Sequence, residues 1–243
     1  MKTLFTSAFI LVAFVASAQT AINKTIPVTK GQTLRMNFDY PNPVKISTWD
    51  KNEISITGSV SINGGESDDQ FELTVNSSSN TIYIKNRIKN MDAIPQRITV
   101  YDGNSKIVFK DKSEWKKYQQ EHGKGSNVSM GVDMDIELVI KVPRNMETNV
   151  ECTYGLVEIR DFVGPLSVLS TYGGVDASLL EPNIGELIAE TNYGNIYSNL
   201  DMKVNKENAR EEDFHMLVRA TPGTGPSYRF ESPYGNVYLR KGK

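Results

Sequence analysis

The chain has 243 residues, with 27 Lys and Arg against 29 Asp and Glu and a formal net charge of −2. It is long enough to bury a core as one domain or two. Its charge balance excludes the basic footprint of a nucleic-acid or anionic-membrane binder.

Residues 1–18 follow the plan of a secretory signal peptide. Lys2 supplies the positive n-region, Leu4 to Val15 an apolar stretch, and Ala16-Ser17-Ala18 an A-x-A site, with cleavage expected after Ala18. The apolar run is short for a bilayer span, and no later stretch reaches the roughly 20 apolar residues a transmembrane helix needs. The product is expected to be exported to the periplasm, the cell surface or the medium. Cys152 is the lone cysteine, so no intramolecular disulfide forms in that oxidising destination. The missing bridges and the A-x-A site together point to a bacterial product.

From residue 19 to 125 the pattern is that of an N-terminal antiparallel, hairpin-rich β region. Val44, Ile46 and Thr48 alternate with polar residues, and Asp50-Lys51-Asn52 turns the chain into Ile54 and Ile56. Phe71, Leu73 and Val75 are answered by Ile82 and Ile84 across a Ser-rich turn. Ile98 and Val100 are answered by Ile107 and Phe109 across Asp102-Gly103-Asn104. One helix is expected near 111–123. Asp111 and Glu114 form its capping box, Trp115, Tyr118 and His122 share a face, and Gly123 ends it. Gly123-Lys124-Gly125-Ser126 reads as a flexible connection, since it lacks the spacing of a phosphate loop.

From 126 to 243 the chain repeats. After the strand Met134–Val142, Tyr-Gly recurs at Tyr154-Gly155, Tyr172-Gly173, Tyr193-Gly194 and Tyr234-Gly235, at intervals of 18, 21 and 41 residues. The last interval suggests a degenerate copy near Phe214. A period near 20 belongs to stacked β-coils that bury their faces only against neighbours. Four positions before each Tyr stand Val150, Val168, Ala189 and Phe230, all apolar. Two before stand Cys152, Ser170, Thr191 and Ser232, all small, and three after stand Val157, Val175, Ile196 and Val237. The inward phase is even before the Tyr and odd after it, so a one-residue slip falls at the Tyr-Gly step, where glycine opens a bulge or corner. Gly164 and Gly185 mark half-turns, giving two strands per coil. The repeat tyrosines are expected to stack at this corner, partly buried, with an exposed sugar-stacking ladder as the alternative.

The segment from Ile136 to Asp201 resembles the adhesin-like domain family of bacteria. Its members carry a strand ending in Val-Pro and then repeated units of the form t-x-G-x-v and G-x-l-x-v. Val142-Pro143 fills the first element here, and Gly155, Gly164, Gly173, Gly185 and Gly194 fill the second. The match covers 134–243 well and 35–60 loosely. It implies an all-β, solenoid-like fold with toast-rack stacking and adds no catalytic residues; the helix at 111–123 departs from the family pattern.

For chemistry, no nucleophile elbow, zinc motif or cofactor motif is present. Glu211, Glu212, Asp213 and His215 read as a solvated charge run before a metal site, and Asp133, Asp135 and Glu137 as one polar strand face. Cys152 reads as a buried structural thiol. Candidate binding residues are the outward ones just after each Tyr-Gly: Glu158, Asp176, Tyr197 and Tyr238, then Arg160 and Arg240. Aromatic and charged groups on a flat β-face suit a glycan or an envelope or surface protein. The reading is a non-enzymatic, adhesin-like interaction protein, set against a glycan-active enzyme such as a lyase and an envelope sensor or assembly module.

Overall fold

The computed structural model describes residues 19–103, 105–123, 127–202, 209–212 and 214–242. The leader at 1–18 and residues 124–126 of the expected connection lie outside the described residues. The first part forms β1 (Thr20–Pro27), β2 (Thr33–Phe38), β3 (Val44–Trp49), β4 (Glu53–Ile62), β5 (Phe71–Ser77) and β6 (Thr81–Ile88). Next come β7 (Arg97–Asp102), β8 (Ser105–Phe109), α1 (Lys112–His122), β9 (Asn127–Gly131) and the long β10 (Met134–Pro143). The repeats supply β11 (Thr148–Cys152), β12 (Val157–Ile159), β13 (Leu166–Ser170), β14 (Val175–Leu179), β15 (Glu186–Thr191) and β16 (Ile196–Ser198). β17 (Ala209–Glu212), β18 (His215–Ala220), β19 (Ser227–Glu231) and β20 (Val237–Lys241) follow. Among the described residues the fold is thus all-β with one α-helix.

Two large sheets face each other. One runs β1-β4-β10-β3-β12-β14-β20-β16, the other β17-β18-β15-β19-β13-β11-β2-β6-β5, and both draw strands from either side of residue 125. The chain builds coils by placing β2, β11, β13, β15 and β19 in the second sheet and their successors β3, β12, β14, β16 and β20 in the first. Parallel, in-register pairing lines up equivalent positions: Met36, Val150, Val168, Phe230 and Ala189 in one sheet, and Val44, Val157, Val175, Val237 and Ile196 in the other. All of these except Ile196 are buried, each contributing about 1.5–3 kcal/mol if it is a large aliphatic or aromatic side chain. Strand alternation explains the pattern, since residues two apart share a face.

Three arrangements differ from the sequence reading. β3 and β4 are not a hairpin: β10 enters between them, parallel to β3 and antiparallel to β4. The N-terminal region is therefore mixed, with β2 and β3 belonging to the parallel coils. Second, β19 and β20 lie between the β13/β14 and β15/β16 coils, so the coils do not stack in chain order as a regular solenoid would. Third, the 41-residue interval holds an antiparallel hairpin, β17–β18, which pairs along β15. Among the described residues no degenerate coil sits at Phe214; the hairpin occupies the hydrogen-bonding edge that β15 would otherwise expose.

The third sheet, β8-β7-β9, carries α1 on one face. Ile98, Val100 and Phe109 are its buried cluster, and Trp115 and Tyr118 lean on Phe109 at 5.4 and 5.1 Å between ring centroids. Asp111 caps the helix by accepting from the N–H groups of Ser113 (2.7 Å) and Glu114 (3.1 Å). The Glu114 carboxylate in turn accepts from the Lys110 N–H at 2.8 Å.

Candidate functional site

The site grows out of the corner between the two strands of each coil. Cys152, Ser170, Thr191 and Ser232 are all buried there. Ser170 Oγ donates to the Gly155 carbonyl at 2.8 Å and accepts from the Gly174 N–H at 3.0 Å. Thr191 Oγ1 likewise donates to the Gly235 carbonyl at 3.0 Å and accepts from the Gly194 N–H at 3.0 Å. Ser170 and Thr191 thus tie their corners to the neighbouring coil, whereas Ser232 Oγ accepts from the Gly235 N–H of its own corner at 3.1 Å, and all three satisfy backbone groups that no strand ladder reaches. Cys152 Sγ lies 3.9 Å from the Pro41 carbonyl, with the backbone N–H groups of Gly155 and Tyr154 turned toward it. Burial pushes its thiol up to about 11, so the thiolate needed for reactivity is suppressed.

The glycines of the Tyr-Gly pairs serve close approach. Gly155, Gly173, Gly194 and Gly235 have no left-handed φ. A Cβ at Gly173 would sit 2.1 Å from the Gly155 carbonyl oxygen, and one at Gly194 would sit 2.0 Å from that of Gly235. The inward phase does change across the step, from Val150 and Cys152 to Val157 and Ile159. Its cause is a tight corner pressed against the neighbouring corner, with no room for a side chain.

Above these corners the tyrosines form one file. Ring centroids follow in the order Tyr40, Tyr154, Tyr172, Tyr234, Tyr193, at 5.3, 5.3, 5.0 and 5.2 Å, with interplanar angles of 16° or less. Phe214, at the hairpin turn, continues it at 5.6 Å from Tyr193. In-register strands lie ~4.8 Å apart, which sets this spacing. The rings are more exposed than the partly buried corner expected: Tyr154, Tyr172 and Tyr234 are 53 % exposed and Tyr193 63 %. The corner backbone is too tight to fold a ring inward, so only the neighbouring rings cover its faces. Tyr40 is missed by the sequence pattern because Phe38 replaces the small residue two before and Pro41 replaces the glycine. Its signal is the even apolar phase of Leu34, Met36 and Phe38.

The predicted outward residues come together on the first sheet. Register places Glu158, Asp176, Tyr238 and Tyr197 in one row across β12, β14, β20 and β16. Tyr197 and Tyr238 stack at 5.1 Å and 11°, and Arg240 lies over the Tyr238 ring at 5.4 Å. Arg240 Nε donates to both Asp176 oxygens at 2.8 and 3.0 Å. Arg160 reaches Asp176 at 3.2 Å and Glu158 at 3.5 Å. Partial burial acts to raise the Asp176 carboxyl, but the bond from Arg240 and the charges of Arg160 and Arg240 outweigh it and hold it below the usual range. Hydrogen bonding to Asp176 raises Arg240 further. Between the two ring files, Asn236 accepts from the Asn195 N–H at 2.8 Å and donates to the Tyr238 hydroxyl at 3.2 Å.

Two of the three carboxylates on the predicted polar strand face are paired with lysines. Asp133 bonds Lys106, and Glu137 bonds Lys45 at 2.6 Å. Asp213 and the side chains of Glu211 and Glu212 lie outside the described residues, while His215 Nε2 lies 3.1 Å from Glu190. Among the described residues no group of three or more His, Cys, Asp and Glu is placed to hold a metal, and no helix is long and apolar enough to cross a membrane. A cavity of about 410 Å³ lies beside the Tyr40 end of the file, lined by Tyr101, Met130, Met134, Lys106 and Asp133 among others.

No family model and no curated relative matches this chain. Among solved structures, a putative cell adhesion protein from Clostridium sporogenes ATCC 15579 aligns at 8 % identity and a TM-score of 0.49. That alignment covers 92 % of this chain and 100 % of the other. A putative adhesin from Bacteroides fragilis NCTC 9343 aligns at 10 % identity and a TM-score of 0.22, covering 93 % and 98 %. Neither likeness carries the functional argument, which rests on the geometry above.

Proposed function

We propose that this chain is an exported, non-enzymatic interaction protein of the cell envelope, adhesin-like in kind, whose stacked β-coils present a solenoid-like binding face to a glycan or protein partner. The observation that carries this reading is the pair of aromatic files, one of five tyrosines at the corners continued by Phe214 at the hairpin turn and one of two rings on the adjoining sheet face, held in register by the backbone. Aromatic rows aligned by the backbone offer contact area at little entropic cost, and tyrosine edges add hydroxyls for hydrogen bonding. Tyr197 lies on β16, the last strand of its sheet, and among the described residues keeps one face open for a sugar or an apolar side chain. The charged residues beside it support binding better than catalysis. An acid or base works best with a pKa near the operating pH, whereas Asp176 is held ionised between two arginines. That weighs against the lyase reading.

The test is a glycan array run beside capture of envelope proteins, with the Tyr197→Ala/Tyr238→Ala double variant as control. The expected outcome is a bound partner whose affinity falls at least about 10-fold in the variant, the scale of 1.4 kcal/mol. Binding that survives both truncations, or no partner on either arm, removes the reading.

A further inference from the structure

The exported chain has one cysteine, and it is buried, so it cannot staple itself by a disulfide. It does hold phenols in contact across strands distant in sequence. Tyr172 and Tyr234 lie 5.0 Å apart at 15°, Tyr193 and Tyr234 5.2 Å at 2°, and Tyr154 and Tyr172 5.3 Å at 12°. All four are more than half exposed, so a soluble oxidant can reach them and their side chains can rotate.

We infer that the tyrosine file is a site of oxidative cross-linking, in which neighbouring phenols couple to dityrosine and join one coil covalently to the next. The oxidant is a one-electron peroxidase system, a haem peroxidase with hydrogen peroxide. Each of two tyrosines gives up one electron and its phenolic proton. The two phenoxyl radicals form one carbon–carbon bond between ortho positions. The two displaced ortho hydrogens move to the phenol oxygens as the rings regain aromaticity, and one hydrogen peroxide is reduced to two waters. Nothing else is consumed.

Radical coupling between separate molecules is limited by their encounter, whereas a radical in the file already touches a second phenol. The high effective concentration of a pre-aligned neighbour therefore favours the intramolecular product. Phe214 ends the file chemically, having no phenol. Tyr83 and Tyr101 provide the internal control: they are 48 % and 44 % exposed but have no ring partner among the described residues. A link between Tyr172 and Tyr234 restricts the unfolded chain as a long-range disulfide does, so the cross-linked monomer should melt higher. This inference does not depend on which partner the face binds.

The experiment treats the chain, residues 19–243, with a haem peroxidase and hydrogen peroxide at serially diluted protein concentration. Dityrosine fluorescence is read in the monomer fraction and the linked peptides are mapped by mass spectrometry. The expected result is Tyr172–Tyr234, Tyr193–Tyr234 and Tyr154–Tyr172 links in the monomer, formed at a rate per molecule that dilution does not change. Tyr234→Phe keeps the stacked ring and removes the central phenol, and it should abolish the first two links while retaining the third. The inference is overturned if dilution suppresses dityrosine, if Tyr83 or Tyr101 enters intramolecular links as readily, or if Tyr234→Phe leaves the map unchanged.

Discussion

The stacked coils and the small β7–β9/α1 unit secure themselves by different means. In the coils, Leu34, Val168, Phe230 and Val237 are fully enclosed between two sheets, and every corner is tied to its neighbour through a buried hydroxyl or a glycine contact. The small unit buries three apolar residues, and no residue of α1 is buried. Its helix depends on a cap, a Gly stop and aromatic contacts with Phe109. The difference separates stability that propagates from coil to coil from stability that stays local.

That contrast can be broken by substitution. Gly173→Ala should have the largest effect, because its Cβ meets backbone at 2.1 and 2.3 Å with no flexible side chain to yield. A loss above about 4 kcal/mol is expected, the range of severe core disruption, read as the urea midpoint. A midpoint shift worth under about 1 kcal/mol would show that the corners are not rigidly packed. Ser170→Ala should cost about 1–3 kcal/mol by stranding the Gly155 carbonyl and the Gly174 N–H, and it should lower the same global midpoint. Asp111→Ala should cost about 1 kcal/mol but only locally. Amide exchange in α1 should quicken while the global midpoint stays put; a moved midpoint would merge the two regions into one cooperative unit.

The smallest effect is on pH dependence. The Asp176 pKa is lowered in the folded chain: burial opposes this, and Arg240 and Arg160 prevail. Its contribution is therefore complete above the ordinary carboxylate value and is lost as pH falls through the lower folded value. Asp176→Asn should flatten the acid side of the stability profile below about pH 4, measured by thermal melts across pH. An unchanged acid limb would mean that the Arg160–Asp176–Arg240 cluster is too solvated to matter.

Strand positions were largely legible because alternation is local: Met134 to Val142, for example, reads as one strand from its own residues. The coil phase was legible because equivalent positions repeat apolar and small residues. Pairing was less so. Nothing in Val44–Trp49 or Glu53–Ile62 says that β10 will part them, since each face pattern is satisfied by any register-compatible neighbour. Phe214 resembles a worn repeat in sequence because an aromatic stands at a suitable interval, and its ring does join the file, but on a hairpin turn. The exposure of the tyrosines was not legible either, because the residue pattern carries the spacing of a corner and not how tightly it closes. The clustering of Glu158, Arg160, Asp176, Tyr197, Tyr238 and Arg240 follows from their matching coil offsets, whereas the pairing of Asp176 with both arginines depends on side-chain reach that the residue pattern does not carry.

The out-of-order strands have one more consequence. β15/β16 touches the rest of the stack through β19/β20, so it has no docking surface until those later strands have arrived. A ribosome releasing this chain from its N-terminus would hold the β15/β16 coil, the fourth in chain order, unplaced until residues 227–241 emerged. Loss of that short segment would leave a gap in the middle of the stack and part the ring file between Tyr172 and Tyr193. β19 and β20 act as a keystone, inserted after both of their neighbours and bearing on both sides.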